Sequence, residues 1–287
     1  QQSTPFFMSI DFTTFSHNLS GHGLGLRSDH IPEILQTRPA VDWFEVITEN
    51  YMHNRGEYFE TLLKLREDYP IVTHGVSLSI GSTDPLDVDY LRLMKEYIDI
   101  LQPEMISDHM CWNHVSHQYS HDLLPLPMNQ EVVTHIANRV DQVQNYLKRP
   151  ILLENVSSYV GYKDTNMFEW EFLTEIAKKS GCGILLDLNN IYVNSFNFGF
   201  DGKDFVQGIP TDKIGYLHFG GHDDKTDYLF DTHGKPMKNE AWELYRYFLT
   251  IHGPRPTTFE WDMDIPPFHV LLEQRAIAME IEKNAVA

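Results

Sequence analysis

Across 287 residues the chain carries 41 acidic against 22 basic side chains, a formal charge of −19; such a field repels phosphate backbones and anionic bilayers, so neither nucleic acid nor membrane is an expected partner. With 42% hydrophobic and 22% charged residues it has the balance of a folded globular protein, at a length that one α/β barrel fills with a core of its own. Two cysteines, Cys111 and Cys182, are too few for a disulfide framework, and no stretch is long and apolar enough to span a bilayer, so a reducing cytosol is the expected compartment.

Residues 1–7, ahead of Met8, are expected to be an expression remnant, and no signal peptide is visible. Short apolar, β-branched runs at 23–26, 43–48 and 71–74 predict the first three strands, with an amphipathic helix at 58–67 between the second and third. A helix at 88–101 follows: Val88, Leu91, Met94, Ile98 and Leu101 recur at helical spacing, and Pro85 and Asp87 mark its start. The fourth strand, 105–109, leads to a helix at 129–147 whose stripe is Val132, Val133, Ile136, Val140, Val143 and Leu147. Strands at 151–154, 183–188, 214–219 and 257–261 then alternate with helices at 168–179, 240–251 and 268–282. Residues 190–210, with their Phe and Gly, read as a loop over one end.

Strands that alternate with helices pair in parallel, and eight such units close into a barrel. The fold expected is a single (β/α)8 TIM barrel over 1–287, since no composition shift or Pro-rich linker divides the chain. An open Rossmann-type sheet is disfavoured, because Gly23-Leu24-Gly25 lacks the third glycine of a dinucleotide loop. Cys182, in an apolar run, and Cys111, just after His109, are assigned to packing.

What ends each strand points to chemistry. The third ends in Thr73-His74-Gly75, the fourth in Ser107-Asp108-His109, the fifth in Glu154-Asn155 and the sixth in Asp187-Leu188-Asn189-Asn190. The seventh ends in His218 with His222 beyond, the eighth in Glu260-Trp261-Asp262, and Asp231-Thr232-His233 lies between them. In such a barrel these ends face the active-site mouth. A lone His or Asp is by default a cap or a hydrogen-bonded core group. Six consecutive strands ending this way are different, because a ring of buried carboxylates is stable only around cations. Imidazole and carboxylate without thiolate suit iron, zinc or manganese, and the number of ligands exceeds one ion's needs. His17, His30, His53, His135, His252 and His269 have no partner pattern, and His22 is assigned no role. His114, His117 and His121 share a loop without a carboxylate at ligand spacing.

At these residues the sequence resembles the multinuclear non-haem iron-dependent oxidative enzymes that include the iron subunits of methanobactin biosynthesis and of thiol-peptide maturation. The resemblance runs from Gly23-Leu24-Gly25-Leu26-Arg27 to about Glu273. It rests on Glu49-Asn50-Tyr51-Met52, His74-Gly75-Val76-Ser77-Leu78-Ser79, Ser107-Asp108-His109, Leu153-Glu154-Asn155, Asn189-Asn190-Ile191-Tyr192-Val193, His218-Phe219-Gly220-Gly221-His222, Asp231-Thr232-His233-Gly234 and Glu260-Trp261-Asp262. It implies two or three irons at the barrel mouth. By that likeness His74, His109 and Glu154 hold the first metal; Glu154, Asp187, His218 and Glu260 the second; Asn190, Asp231 and His233 the third. A more distant likeness to trinuclear-zinc apurinic endonucleases and xylose isomerase-like barrels puts His where Asn190 stands. An amide is a weaker ligand than imidazole, so the third site would be labile. His222 would then support a ligand from behind or replace one, and Asn155 would also act from behind. The resemblance implies oxidation of cysteine residues in a ribosomally made precursor peptide with iron and dioxygen, alongside a small partner protein that binds the peptide leader. A metal-dependent hydrolase or isomerase is the alternative enzyme, with zinc or manganese as alternative metals, and a non-enzymatic metal-binding scaffold is the third reading.

Overall fold

The computed structural model describes residues 18–286 apart from 54 and 117; residues 1–7, His17 and His117 therefore lie outside the described residues. The chain runs through β1 (His22–Gly25), α1 (Ile31–Thr37), β2 (Phe44–Ile47), α2 (Thr48–Met52), α3 (Glu57–Asp68), β3 (Ile71–Gly75), α4 (Val88–Leu101) and β4 (Ile106–His109). A hairpin of β5 (Trp112–Val115) and β6 (Gln118–Leu124) precedes α5 (Gln130–Leu147), β7 (Leu152–Glu154), α6 (Glu169–Ser180) and β8 (Gly183–Asp187). Helices α7 (Leu188–Phe198) and α8 (Gly202–Gly208) lead to β9 (Ile214–Phe219). A second hairpin, β10 (His222–Asp224) and β11 (Leu229–Asp231), is followed by α9 (Asn239–His252), β12 (Thr257–Phe259) and α10 (Phe268–Val286). Eight strands in the order β1-β12-β9-β8-β7-β4-β3-β2 close the barrel, and each neighbouring pair is parallel.

The pleat sorts the strand residues. Phe44, Val46, Ile71, Ile106, Leu153, Ile184, Leu186, Leu217 and Phe219 join the large cluster shared with the helices. Trp43, Val72, Met105, Leu152, Leu185 and Tyr216 form a separate buried cluster inside the barrel. Two residues further along the same strands, on the same face, come Glu45, His74, Ser107, Glu154, Asp187 and His218, all buried. An apolar plug thus lies below a polar layer at the C-terminal strand ends.

Register levels that layer. His74 lies beside Ser107, His109 beside Glu154, and Asp187 beside His218. The last pairing depends on a shift between Ile184 and Leu185, where one extra residue of β9 enters the ladder. Without it Asp187 would face Leu217, which points out to the helices.

Residues 190–210, expected to be a loop, are instead α7 and α8. The side chain of Asp187 accepts a hydrogen bond from Asn190 N and starts α7, and left-handed Gly199 ends it. Its Asn-rich sequence hides a helix whose buried apolar residues are Leu188, Ile191 and Val193. The loop carrying His114 and His121 is the β5–β6 hairpin, and Asp231 ends a hairpin that sequence left irregular. Val88, expected on the buried stripe of α4, is exposed as that helix's first residue, whereas Leu91, Met94, Ile98 and Leu101 are buried. Among the described residues no helix is long and apolar enough to cross a membrane.

The interior plug gives a test of this architecture. Leu152 is fully buried, so Leu152→Ala should lower stability by about 2–5 kcal/mol in urea unfolding of the metal-free protein; a loss under about 0.5 kcal/mol would mean the plug is not packed as described.

Candidate metal centre

The polar layer converges on Glu154. Its Oε2 lies 3.0 Å from His74 Nε2 and 3.3 Å from His109 Nε2, and its Oε1 lies 3.1 Å from His218 Nδ1. His218 Nδ1 also faces Glu260 Oε2, at 3.3 Å. Two carboxylate oxygens directed at different imidazoles are the arrangement of a carboxylate placed to bridge two cations.

Each imidazole is oriented from behind so that one nitrogen is left for a ligand. His109 Nδ1 donates to the Gly75 carbonyl at 2.9 Å. His74 Nδ1 meets Ser107 Oγ at 2.8 Å, and because the one proton of that hydroxyl is directed at another oxygen, Tyr216 Oη or the Thr73 carbonyl, it accepts from the imidazole. Ser107 also contacts Tyr216 Oη at 2.8 Å, and Tyr216 donates to Glu45 Oε2 at 2.6 Å. Glu45 in turn takes His218 Nε2 at 2.8 Å. One buried chain of hydrogen bonds thus fixes His74 and His218 together, and a carboxylate behind a ligating histidine raises its basicity.

A second cluster lies beside the first. His233 Nε2 faces Asp231 Oδ1 at 2.9 Å and Asp187 Oδ2 at 3.7 Å, and its Nδ1 faces Glu260 Oε2 at 3.3 Å and Asp262 Oδ2 at 3.1 Å. The ring packs over Gly220, where a Cβ would come within 2.4 Å of it, so the glycine pair after His218 makes room for His233. Asn190 Nδ2 donates to the Asn155 carbonyl at 3.1 Å, which turns Oδ1 the other way. Asn155 also exchanges hydrogen bonds with the backbone of Asp187, at 2.9 and 3.0 Å, and so fixes that strand end.

The donor set fits metal ions. Ligand atoms of His74, Glu154 and His218 lie within 4.8 Å of one another, as do those of Glu45, His218 and Glu260, and of His233, Glu260 and Asp262. Asp187 Oδ2 and Asn190 Oδ1 are buried without a hydrogen-bond partner, while Glu154 Oε2 faces only His74 and His109, and His233 Nε2 only Asp231 and Asp187. Buried acceptors of this kind are unstable unless a cation satisfies them. Two or three ions could be held: by His74, His109 and Glu154; by Glu154, Asp187, His218 and Glu260; and by Asn190, Asp231 and His233. Glu45 lies on the far nitrogen of His218, a position from which it supports that ligand.

Electrostatics without metal point the same way. Burial opposes a charge on His74, but the Glu154 carboxylate outweighs it and raises the imidazole to about 9. Burial likewise opposes charge on His218 and His233, and Glu45 and Asp231 respectively overcome it, holding both well above the ordinary value. Burial and then the neighbouring His74 push His109 down. Burial drives the Asp187 carboxyl well up. The cluster therefore holds protons in the places where cations would sit.

All nine residues expected as ligands fall in this region, together with three supporting groups to which sequence reading assigned no role, although Asp262 was named at the end of the eighth strand. Glu45 is one. Arg27, whose Nη2 donates to Glu260 Oε1 at 3.2 Å and Asp262 Oδ1 at 2.5 Å, is the second, and Asp262 is the third. His222 does not line the mouth. Its Nδ1 meets Asn189 Oδ1 at 2.7 Å, and Asn189 donates to Asp231 Oδ1 at 3.0 Å, so it steadies Asp231 through one intermediary. His22 lies at the start of β1, with Nδ1 2.7 Å from Thr257 Oγ1, away from this layer. Above the cluster opens a cavity of about 540 Å³, with His109, Asn190, Asp231, His233 and Glu260 in its wall and Tyr159 and Phe230 at its rim.

Because a metal must displace the proton from His74, binding should weaken steadily as pH falls below about 9. Zinc affinity, measured against a competing chelator, should keep rising from about pH 7 to about pH 8.5, by roughly tenfold per unit for each proton displaced. An unperturbed imidazole would give a flat profile over that range, and such a profile would contradict the geometry.

Residues 21–283 match the family described as RiPP precursor modification enzyme MbnB/TglH/ChrH. A UPF0276 protein of Anaeromyxobacter sp. strain Fw109-5 is 46% identical over 273 residues, covering 95% of this chain and 96% of that one. Another, from Acaryochloris marina, is 43% identical over 256 residues, covering 89% and 92%. Among solved structures, a D-tagatose 3-epimerase-like protein aligns with a TM-score of 0.61 at 16% identity, over 93% of this chain and 100% of its own. Endonuclease IV from Thermus thermophilus aligns with a TM-score of 0.57 at 14% identity, over 93% and 98%. These structural likenesses show the fold, a TIM barrel, and the sequence match decides the family: the chain belongs to the MbnB/TglH/ChrH family of RiPP precursor modification enzymes.

Proposed function

We propose that this chain is a multinuclear non-haem iron oxidase or oxygenase that acts on cysteine residues of a ribosomally synthesised precursor peptide, with dioxygen as the electron acceptor. The observation that carries the proposal is the pairing of a cluster of convergent, buried imidazole and carboxylate groups with a wide mouth above it. Iron held there would supply a reducible centre able to bind both a thiolate and dioxygen. Imidazole and carboxylate ligands tolerate both ferrous and ferric iron.

The protein's own residues would prepare that chemistry. Arg27 holds Glu260 and Asp262 in place and offsets part of their charge. The relay through Ser107, Tyr216 and Glu45 fixes the two imidazoles on either side of Glu154. Tyr159 and Phe230, with ring centroids 5.2 Å apart, form an apolar rim that would exclude water once a peptide covers the mouth. A small partner protein would present the peptide leader, and the cysteine would reach the floor of the cavity on an extended segment.

The alternative, a metal-dependent hydrolase or isomerase, draws on the fold shared with epimerases and endonuclease IV. The mouth argues against a phosphodiester substrate. Asp29, Asp122, Asp231, Glu260 and Asp262 line it with one arginine, already paired, and such a wall repels a phosphate backbone.

Iron-loaded protein should consume dioxygen when given its cognate peptide, and replacement of iron by zinc should abolish that consumption. A zinc form that turns over a genuine substrate as fast as the iron form would overturn the oxidative reading in favour of the hydrolase.

A further inference from the structure

A second cavity, of about 310 Å³, lies beside the mouth. The two are separated by the segment that leaves β7, which Asn194 of α7 pins: Ser158 N donates to its Oδ1 at 2.7 Å, and its Nδ2 donates to the Val156 carbonyl at 2.9 Å. The ridge is one chain wide. Tyr159 lines the mouth, while its neighbours Ser158 and Val160 line the second cavity.

The walls of that cavity are Val160, Tyr162, Phe168, Trp170, Phe198 and Phe200. Phe168 stacks flat on Trp170, with centroids 4.4 Å apart and planes 6° apart. Three of these side chains remain largely open to solvent, Val160 at 57%, Phe168 at 58% and Phe198 at 47%. Uncovered apolar side chains gathered round one cavity mark a surface that something else covers.

In the same wall sits one carboxylate, Glu169. It forms no ion pair among the described residues; its polar contact is Asn194 Nδ2 at 3.4 Å. Burial pushes its carboxyl up to about 8. Helix capping does not account for it, because Glu171 already closes the start of α6 by accepting from Phe168 N at 3.0 Å. An aromatic slot with one carboxyl group that no cation of the chain pairs matches an organic cation on an aliphatic stem: the stem lies on the ring faces, and the cation meets the ring quadrupoles and draws the carboxyl into its ionised form.

We propose that this cavity binds an arginine or lysine side chain of the substrate polypeptide, a few residues away from the cysteine held in the mouth. The inference rests on the peptide-substrate reading above and adds a recognition element to it. An extended peptide advances about 3.3 Å per residue, so a few residues crossing the ridge at 158–160 would occupy both cavities. The chain's formal charge of −19 favours a basic ligand over an acidic one.

The test uses the full-length iron-loaded protein and two fluorescently labelled octapeptides, identical except that one arginine is replaced by citrulline, its neutral isostere. The arginine peptide should bind about tenfold more tightly, and Glu169→Gln should abolish that preference while metal content stays unchanged. Phe198→Ala, on an exposed rim side chain, should weaken the arginine peptide without unfolding the protein. Equal binding of the two peptides, no binding of either, or a preference retained in Glu169→Gln would overturn the assignment. Equal affinity for argininamide alone would make the occupant a small molecule and overturn the peptide assignment. Because only binding is read, loss of dioxygen consumption would sink the oxidase reading and leave this result standing.

Discussion

The Glu154 carboxylate, buried between three imidazoles, is the interaction on which the rest of the site depends. Burial alone would neutralise it, yet His218, His109 and His74 hold it well below the ordinary carboxylate range. Such a cluster is stable only if its charges are matched at every atom. The fold matches them in two directions. Behind the imidazoles, a relay of Ser107, Tyr216 and Glu45 fixes which nitrogens carry protons. Beside them, Arg27 restrains Glu260, and Asn155 clamps the backbone from which Asp187 projects. In front, acceptors such as Asp187 Oδ2 and Asn190 Oδ1 have no hydrogen-bond partner. Cations would complete the set.

The barrel makes this cluster by a simple rule of the pleat. Along successive strands an apolar interior residue is followed, two positions later, by a polar one, as in Val72 and His74, Leu152 and Glu154, Leu185 and Asp187, and Tyr216 and His218. The apolar member plugs the barrel and the polar member faces the mouth. The bulge in β9 keeps His218 rather than Leu217 level with Asp187, so a single extra residue in one strand decides whether the layer closes.

That periodicity explains what could be read in advance. All eight barrel strands were legible because each is short and apolar and most are bounded by helical patterns, and the candidate ligands His74, His109, Glu154, Asp187, His218 and Glu260 were legible because they stand at or just beyond strand ends. Glu45 was missed because it precedes the end of β2 by two residues; the Trp43-x-Glu45 spacing repeats the rule of the other strands and would have found it. Arg27 was hidden because a basic residue after a strand carries no metal signal. The short helix α7 escaped because Asn and Ser depress helix propensity, and the bond from Asp187 to Asn190 N that starts it became evident only with the fold. Hairpin β10–β11 carries Asp231 to the mouth through pairing that its short, polar strands do not announce.

The structural neighbours share the barrel at 16% and 14% identity, so the likeness fixes architecture and leaves chemistry to the residues at the mouth. Anomalous-difference maps at the iron edge, from crystals of anaerobically iron-loaded protein, would test the central claim most directly. At least two peaks should appear, about 3.5–4 Å apart, one touching His74 and His109, the other His218, Asp187 and Glu260, with Glu154 between them. A single peak, or iron bound elsewhere with the Glu154 cluster empty, would contradict the account.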